Sequence, residues 1–204
     1  LNLSDVKHSI KDKVTSPLDF RFLNDVWPEF DMSNDKGILP TTEALVSIIW
    51  NRLKNDLPLT SLRLYESPTL WADYYGNKME ALLTIQTHFN AAHRLAKDEI
   101  SLSENKKIYG KCARINGHGH NYFLDVTVRG QIDQRTGMIC DLPSLQTIIN
   151  DLVVEKLDHT FLNKDIEYFK TCVPTCENIA LYISDILSLP IAKIGAKLHK
   201  VRLQ

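Results

Sequence analysis

Apolar positions along this chain follow two rhythms, one of strands and one of helices. Residues 81–89 (ALLTIQTHF) are apolar with interspersed threonines and period-two character, which predicts a strand. Residues 122–130 (YFLDVTVRG) alternate and predict its partner, and residues 133–137 (DQRTG) predict a turn. Leu145, Ile148, Ile149, Leu152 and Val153 recur at helical spacing, predicting a helix over 142–157 with Asp141 or Ser144 as its cap. A second helix is expected from Thr175, with Ile179, Ala180, Tyr182, Ile183 and Ile186 on its apolar face and Pro190 as its stop. Residues 198–203 read as a strand. The front of the chain reads as helix, helix (42–53), strand (61–66), strand (70–75).

That order repeats in the residues themselves. Residues 1–25 align without a gap onto 140–164, a shift of 139 positions. Pro17-Leu18-Asp19-Phe20-Arg21-Phe22-Leu23-Asn24 lies over Lys156-Leu157-Asp158-His159-Thr160-Phe161-Leu162-Asn163. Pro40-Thr41-Thr42-Glu43 lies over Pro174-Thr175-Cys176-Glu177, and Leu62-Arg63-Leu64-Tyr65 over Val201-Arg202-Leu203-Gln204. Three matches in one order point to duplication. The expected organisation is residues 1–76 as the rear half of a first, degenerate unit and 77–204 as a second, near-complete one. The natural chain is expected to extend beyond both ends. Each complete unit is strand-strand-helix-helix-strand-strand, so the fold class is α+β, an antiparallel sheet with two helices on one face. The sheet's other face is expected to be apolar and buried against other units.

Composition narrows the function classes. A hydrophobic content of 44% in 204 residues gives enough core for an ordinary globular protein. A formal net charge of -1 gives no reason to expect a nucleic-acid partner or a polybasic membrane contact. No apolar run approaches the roughly 20 residues of a membrane span, and no signal-peptide pattern opens the chain. Cys112, Cys140, Cys172 and Cys176 lack paired-motif spacing and read as reduced thiols of a cytoplasmic protein.

The chemistry concentrates in two stretches, 88–95 (HFNAAHRL) and 112–122 (CARINGHGHNY). His118 and His120 are two apart, so a strand places both on one face, and His93 ends the partner strand. Three imidazoles with no fourth protein ligand make a zinc site with an open position. Cys112 is either a buried structural thiol or a thiolate base beside that site. Asp158-His159 is either a tautomer-fixing carboxylate–imidazole pair or a helix-end histidine favourable to the dipole. Glu66, Glu43 and Glu177 are either solvated glutamates or acceptors for the N–C–N edge of a flat heterocycle.

His93, Cys112, His118, His120, Asp158-His159 and the run Pro174-Thr175-Cys176-Glu177-Asn178 resemble the 6-pyruvoyl-tetrahydropterin synthase family, including its 6-carboxytetrahydropterin synthase branch. The resemblance covers residues 79–204 as one near-complete unit and 1–76 as the rear half of another. It implies a tunnelling fold whose units join their sheets into a barrel, a homo-oligomer with sites between units. It implies Zn2+ on His93, His118 and His120, Cys112 as base, and Asp158 with His159 as its acid/base partners. Thr175, Cys176, Glu177 and Glu66 would hold the pterin of the substrate, 7,8-dihydroneopterin triphosphate. The pyruvoyl branch serves tetrahydrobiopterin biosynthesis. The carboxy branch, which releases acetaldehyde, serves queuosine biosynthesis. Five residues between Cys112 and His118 resemble the pyruvoyl branch. Cys176 stands where the family commonly has threonine, and Phe20 stands where the rear unit has His159. A non-catalytic scaffold of the same fold is the remaining alternative.

Overall fold

The computed structural model describes residues 2–33, 36–77 and 79–204; Leu1, Asn34, Asp35 and Lys78, which fall within the two expected units, lie outside them. Two compact units emerge. One holds the chain up to Thr84 together with Val128–Asp141, and the other holds Ile85–Thr127 with Leu142–Gln204. The division follows the sheet rather than chain order, because the two longest strands each contribute to both units.

In the first unit, α1 (Leu3–Ile10) runs through a π-helical turn (Lys11–Thr15) into one further turn (Ser16–Leu18). Helix α2 (Thr42–Leu53) packs on β1 (Leu62–Ser67) and β2 (Leu70–Tyr74), which pair antiparallel. Its N-cap Thr41 accepts the Ala44 amide. Ala44, Val46, Ile48, Ile49 and Leu53 are buried, with Trp71, Ala72 and Tyr74. The edge of Trp50 meets the Tyr74 ring at 5.5 Å.

The second unit takes its sheet from β3 (Glu80–His93), β4 (His118–Gln131) and β6 (Lys197–Leu203), with β4 between the other two. Phe123 and Gln204 exchange both amide bonds at 2.9 Å. Helix α4 (Leu142–Ile149) continues through a π-turn (Asn150–Val154) and a last turn (Glu155–Leu157). Helix α5 (Cys176–Lys193) packs on β6 and on α4. Its buried stripe, Ile179, Ile183, Leu187 and Ile191, recurs every four residues and meets Leu145, Ile149, Val153 and Leu157 in the core. A short helix, α3 (Leu102–Tyr109), opens on a capping box between Ser101 and Glu104. No helix among the described residues is long and apolar enough to cross a membrane.

Several expectations are corrected. Pro190 does not stop the helix, which runs on to Lys193 because Ile191 is fully buried; Gly195, at φ +87°, follows the end. The antiparallel sheet carries one parallel addition, β5 (Thr160–Phe161), against Ala91 and Ala92 of β3. The face opposite the helices is not simply apolar. Alternation along β4 sends Leu124 and Val126 one way and Asp125 the other, where Asp125 accepts from Gln86 at 2.7 Å and from Arg202 at 3.4 Å.

Leu124 has no exposed surface. Leu124→Ala is therefore expected to cost about 2–5 kcal/mol, seen as a lowered urea midpoint with unchanged m-value.

Candidate active site

All three histidines stand in the second unit. β3 ends on His93 and β4 begins on His118, so the paired strands bring them together, and the two-residue repeat adds His120 to the same face. The ligand nitrogens of His93, His118 and His120 all lie within 4.8 Å of one another. Gly117 permits this approach. It sits at φ +65°, and a Cβ there would come within 2.6 Å of the His93 carbonyl oxygen.

His93 is 6% exposed. Its Nδ1 lies 2.7 Å from the Pro174 carbonyl oxygen, an acceptor only, so Nδ1 carries the proton and Nε2 a lone pair. That lone pair faces His118 Nε2 at 3.1 Å, so either a proton or a cation must lie between them. Burial first, and then the neighbouring imidazoles, hold His93 below the ordinary histidine value against the opposing pull of Pro174. His118 is lowered by burial, His120 and Arg114. Three imidazole nitrogens this close together, with the His93 Nε2 lone pair turned toward the group, fit a metal ion. The Tyr122 hydroxyl is 3.3 Å from His93 Nδ1, and its ring stacks on Phe89 at 5.1 Å, forming a wall behind the triad.

Asp158 and His159 follow the helix that begins at α4. The Asn90 amide donates to Asp158 Oδ1 at 2.6 Å, and the Asn90 carbonyl accepts from His159 N at 2.6 Å. This clamp holds His159 at φ +57°. Asp158 Oδ2 meets His159 Nδ1 at 2.7 Å, which leaves His159 Nε2 as the free nitrogen. The Asn90 amide, then His159, hold the Asp158 carboxyl below its usual range. His159 and His120 line one cavity of about 590 Å3, together with Asn90 and Gly119.

Cys112 is half-buried on a 3-10 turn (Gly110–Ala113). It is outside the metal group and outside the cavity lining, and its carbonyl accepts from Leu95 N at 2.9 Å. Thr175 caps α5 by accepting the Asn178 amide. The exposed Cys176 thiol donates to the Leu203 carbonyl at 3.7 Å. The backbone N–H of Glu177 itself, and then the Thr175 hydroxyl, hold the exposed Glu177 carboxyl below the usual carboxylate range. This segment reaches the triad through Pro174. The Pro174 carbonyl and the Asn90 clamp are backbone partners, for which no side-chain pattern in the sequence gives a signal.

Glu66 belongs to the first unit, where it accepts from the Thr42 hydroxyl. Nearby Glu43 is 5% exposed and accepts the Ile139 amide at 3.2 Å. Burial raises Glu43 above its ordinary 4.5, and the charge of Glu66 adds to this. A raised folded value means stability that is complete below the unfolded value and lost as pH rises through the folded one. Glu43→Gln keeps an acceptor for Ile139 but cannot ionise. Urea unfolding between pH 4.5 and 8 is expected to show less loss of stability with rising pH than in the parent chain.

The model of the family described as 6-pyruvoyl tetrahydropterin synthase matches residues 1–77 and 82–204. The 6-pyruvoyl tetrahydrobiopterin synthase of Drosophila melanogaster is 44% identical over 113 residues, 55% of this chain and 67% of the relative. The protein of the same description from Homo sapiens is 41% identical over 127 residues, 62% of this chain and 86% of the relative. The solved structure of Caenorhabditis elegans 6-pyruvoyl tetrahydropterin synthase superposes with a TM-score of 0.59 at 39% identity, covering 62% of this chain and 89% of that one. The α+β architecture with its antiparallel sheet, the histidine triad and these matches agree: the chain belongs to the 6-pyruvoyl tetrahydropterin synthase family.

Proposed function

We propose that this chain is a zinc-dependent lyase that acts on 7,8-dihydroneopterin triphosphate, eliminating triphosphate to leave a 6-pyruvoyl side chain. The observation that carries the reading is the shared cavity, lined both by a metal-competent histidine and by the imidazole of an oriented carboxylate–histidine pair. His93, His118 and His120 would hold the ion, which supplies Lewis-acid polarisation of the substrate's side-chain hydroxyls. Cys112 takes a proton from a side-chain carbon. His159, fixed by Asp158, exchanges the hydroxyl protons through its free Nε2. The bonds broken are carbon–hydrogen and the carbon–oxygen bond to triphosphate, and the remaining hydrogen shifts are internal, so no external oxidant is needed. Thr175, Cys176, Glu177 and Glu66 hold the pterin.

Residues 1–76 are, in this reading, the rear half of a degenerate first unit, and 77–204 the active one. Backbone geometry supports it: the π-turns begin at Lys11 and Asn150, and Phe20 and His159, two of the three left-handed non-glycine residues described (Met79 is the third), are likewise 139 positions apart. Phe20 removes the imidazole from the first copy. Units of several chains would close a barrel in the cytoplasm, in keeping with four free cysteines.

The test is incubation with dihydroneopterin triphosphate and mass analysis of products. 6-Pyruvoyl-tetrahydropterin with inorganic triphosphate is expected. Acetaldehyde with a 6-carboxypterin would replace this reading with the carboxy branch, which the five-residue Cys112-to-His118 gap disfavours. Absence of both products would leave a scaffold.

A further inference from the structure

A cavity of about 860 Å3 in the second unit is distinct from the one that His120 and His159 share. Its volume suits a small molecule. Three cations line it, Arg94, Lys97 and Lys164, and among the described residues none of them is ion-paired. Lys170 also lines it but is held by Glu167 at 2.5 Å. Asp98 and Glu99 lie in the same lining as exposed residues, so the cavity is not uniformly basic, and it is the placement of the cations that matters.

Arg94 is set in place from behind. Asn163 accepts its amide at 2.8 Å and donates to its carbonyl at 3.0 Å, and the Arg94 Nε donates to the Ala113 carbonyl at 3.3 Å. The two terminal nitrogens of the fork remain for a ligand. A fixed guanidinium fork matches phosphate oxygens. Thr175, the N-cap of the 18-residue helix α5, and Asn178 in its first turn also line the cavity and add the positive end of that helix. Arg94 directly follows His93, and Thr175 directly follows Pro174, whose carbonyl holds His93. The cavity and the metal group therefore share a wall.

We propose that this cavity is a polyphosphate-binding site built on Arg94, Lys97 and Lys164. Its chemistry fits either the triphosphate tail of the proposed substrate or a free inorganic polyphosphate acting as an effector. Only the choice of source rests on the function proposed above.

The experiment is calorimetric titration of the zinc-loaded full chain with inorganic triphosphate at fixed ionic strength. The parent is compared with Lys97→Gln/Lys164→Gln and with a control, Lys106→Gln/Lys107→Gln, whose lysines lie outside the cavity lining. Saturable binding that weakens about ten- to a hundredfold in the first variant and is unchanged in the control is expected. Chelation of zinc by triphosphate is common to all three proteins and cancels in the comparison. Arg94→Lys, which keeps the charge but loses the fork, should also weaken binding. Absence of binding, or equal loss in both double variants, overturns the site. If triphosphate then inhibits turnover competitively, the cavity holds the substrate's tail; noncompetitive inhibition assigns it to a free effector. Failed binding with intact turnover sinks this site alone, and intact binding without turnover sinks only the proposed function.

Discussion

Cys112→Ala is expected to lower turnover of dihydroneopterin triphosphate by about 10²–10⁴-fold while leaving the metal content at that of the parent. The two halves of that outcome come from different observations. Metal retention follows from geometry: the three imidazole nitrogens converge without the thiol, which stands on a separate 3-10 turn. The loss of turnover follows from the proposed role, since no other thiol stands on that turn and alanine has no group to accept a proton. A rise in KM alone, with unchanged kcat, would make Cys112 a binding contact instead. Full activity would remove it from the chemistry. Zinc analysis and steady-state kinetics on the same preparation separate these outcomes, and Cys112→Ser should leave the metal in place but remain far slower than the parent, because a hydroxyl is a much weaker proton acceptor at neutral pH.

The parts of this architecture that are legible in sequence are those whose signal is local. Of the apolar face expected for α5, Ile179 and Ile183 lie in the core while Ala180, Tyr182 and Ile186 flank it half-buried, the stripe continuing instead through Leu187 and Ile191, and α2 has the bounds expected for it. Strands β3 and β4 are longer than their alternation suggests because their ends are set by distant partners. Asn90-Ala91-Ala92 has no strand rhythm, yet β3 continues through it to His93, with β5 alongside, 68 residues from Asn90 to Asp158 in sequence. The π-turns insert a residue into the helical repeat, which a 3.6-residue period does not register. Helix α3 has a local signal, Ser101 followed by Glu104, but only a modest apolar face to announce it.

The site divides the same way. The candidate site's side chains are visible as residue types at diagnostic spacings, and the triad expected from His93, His118 and His120 is a cluster in three dimensions. The groups that orient them are largely backbone atoms. The Pro174 carbonyl fixes the tautomer of His93, and Asn90 clamps Asp158 and His159 through its amide and carbonyl. Such partners leave no trace in residue identity, because every residue carries the same carbonyl. Glu66 marks a further limit: it is grouped with Thr42 in the first unit, so a role in holding pterin depends on how units assemble.

Removing His93 is expected to have two separable consequences, whereas removing His120 has one. Both His93→Ala and His120→Ala take away one of three ligands, so bound metal should fall from one equivalent toward zero at micromolar zinc, and turnover should fall to background with it. His120 is exposed, and its loss should leave the metal-free protein within about 0.5 kcal/mol of the metal-free parent. His93 is buried and donates to the Pro174 carbonyl, so its loss leaves that acceptor without its 2.7 Å donor beneath the cap of α5. An orphaned buried acceptor costs about 1–3 kcal/mol. Urea unfolding of the three metal-free proteins isolates this term, since metal no longer stabilises any of them. Metal-free His93→Ala should unfold at clearly lower urea than metal-free His120→Ala. Equal stability of the two would mean that the Pro174 contact does not hold the loop before α5. Full metal retention by either variant would mean that the triad is not the metal site.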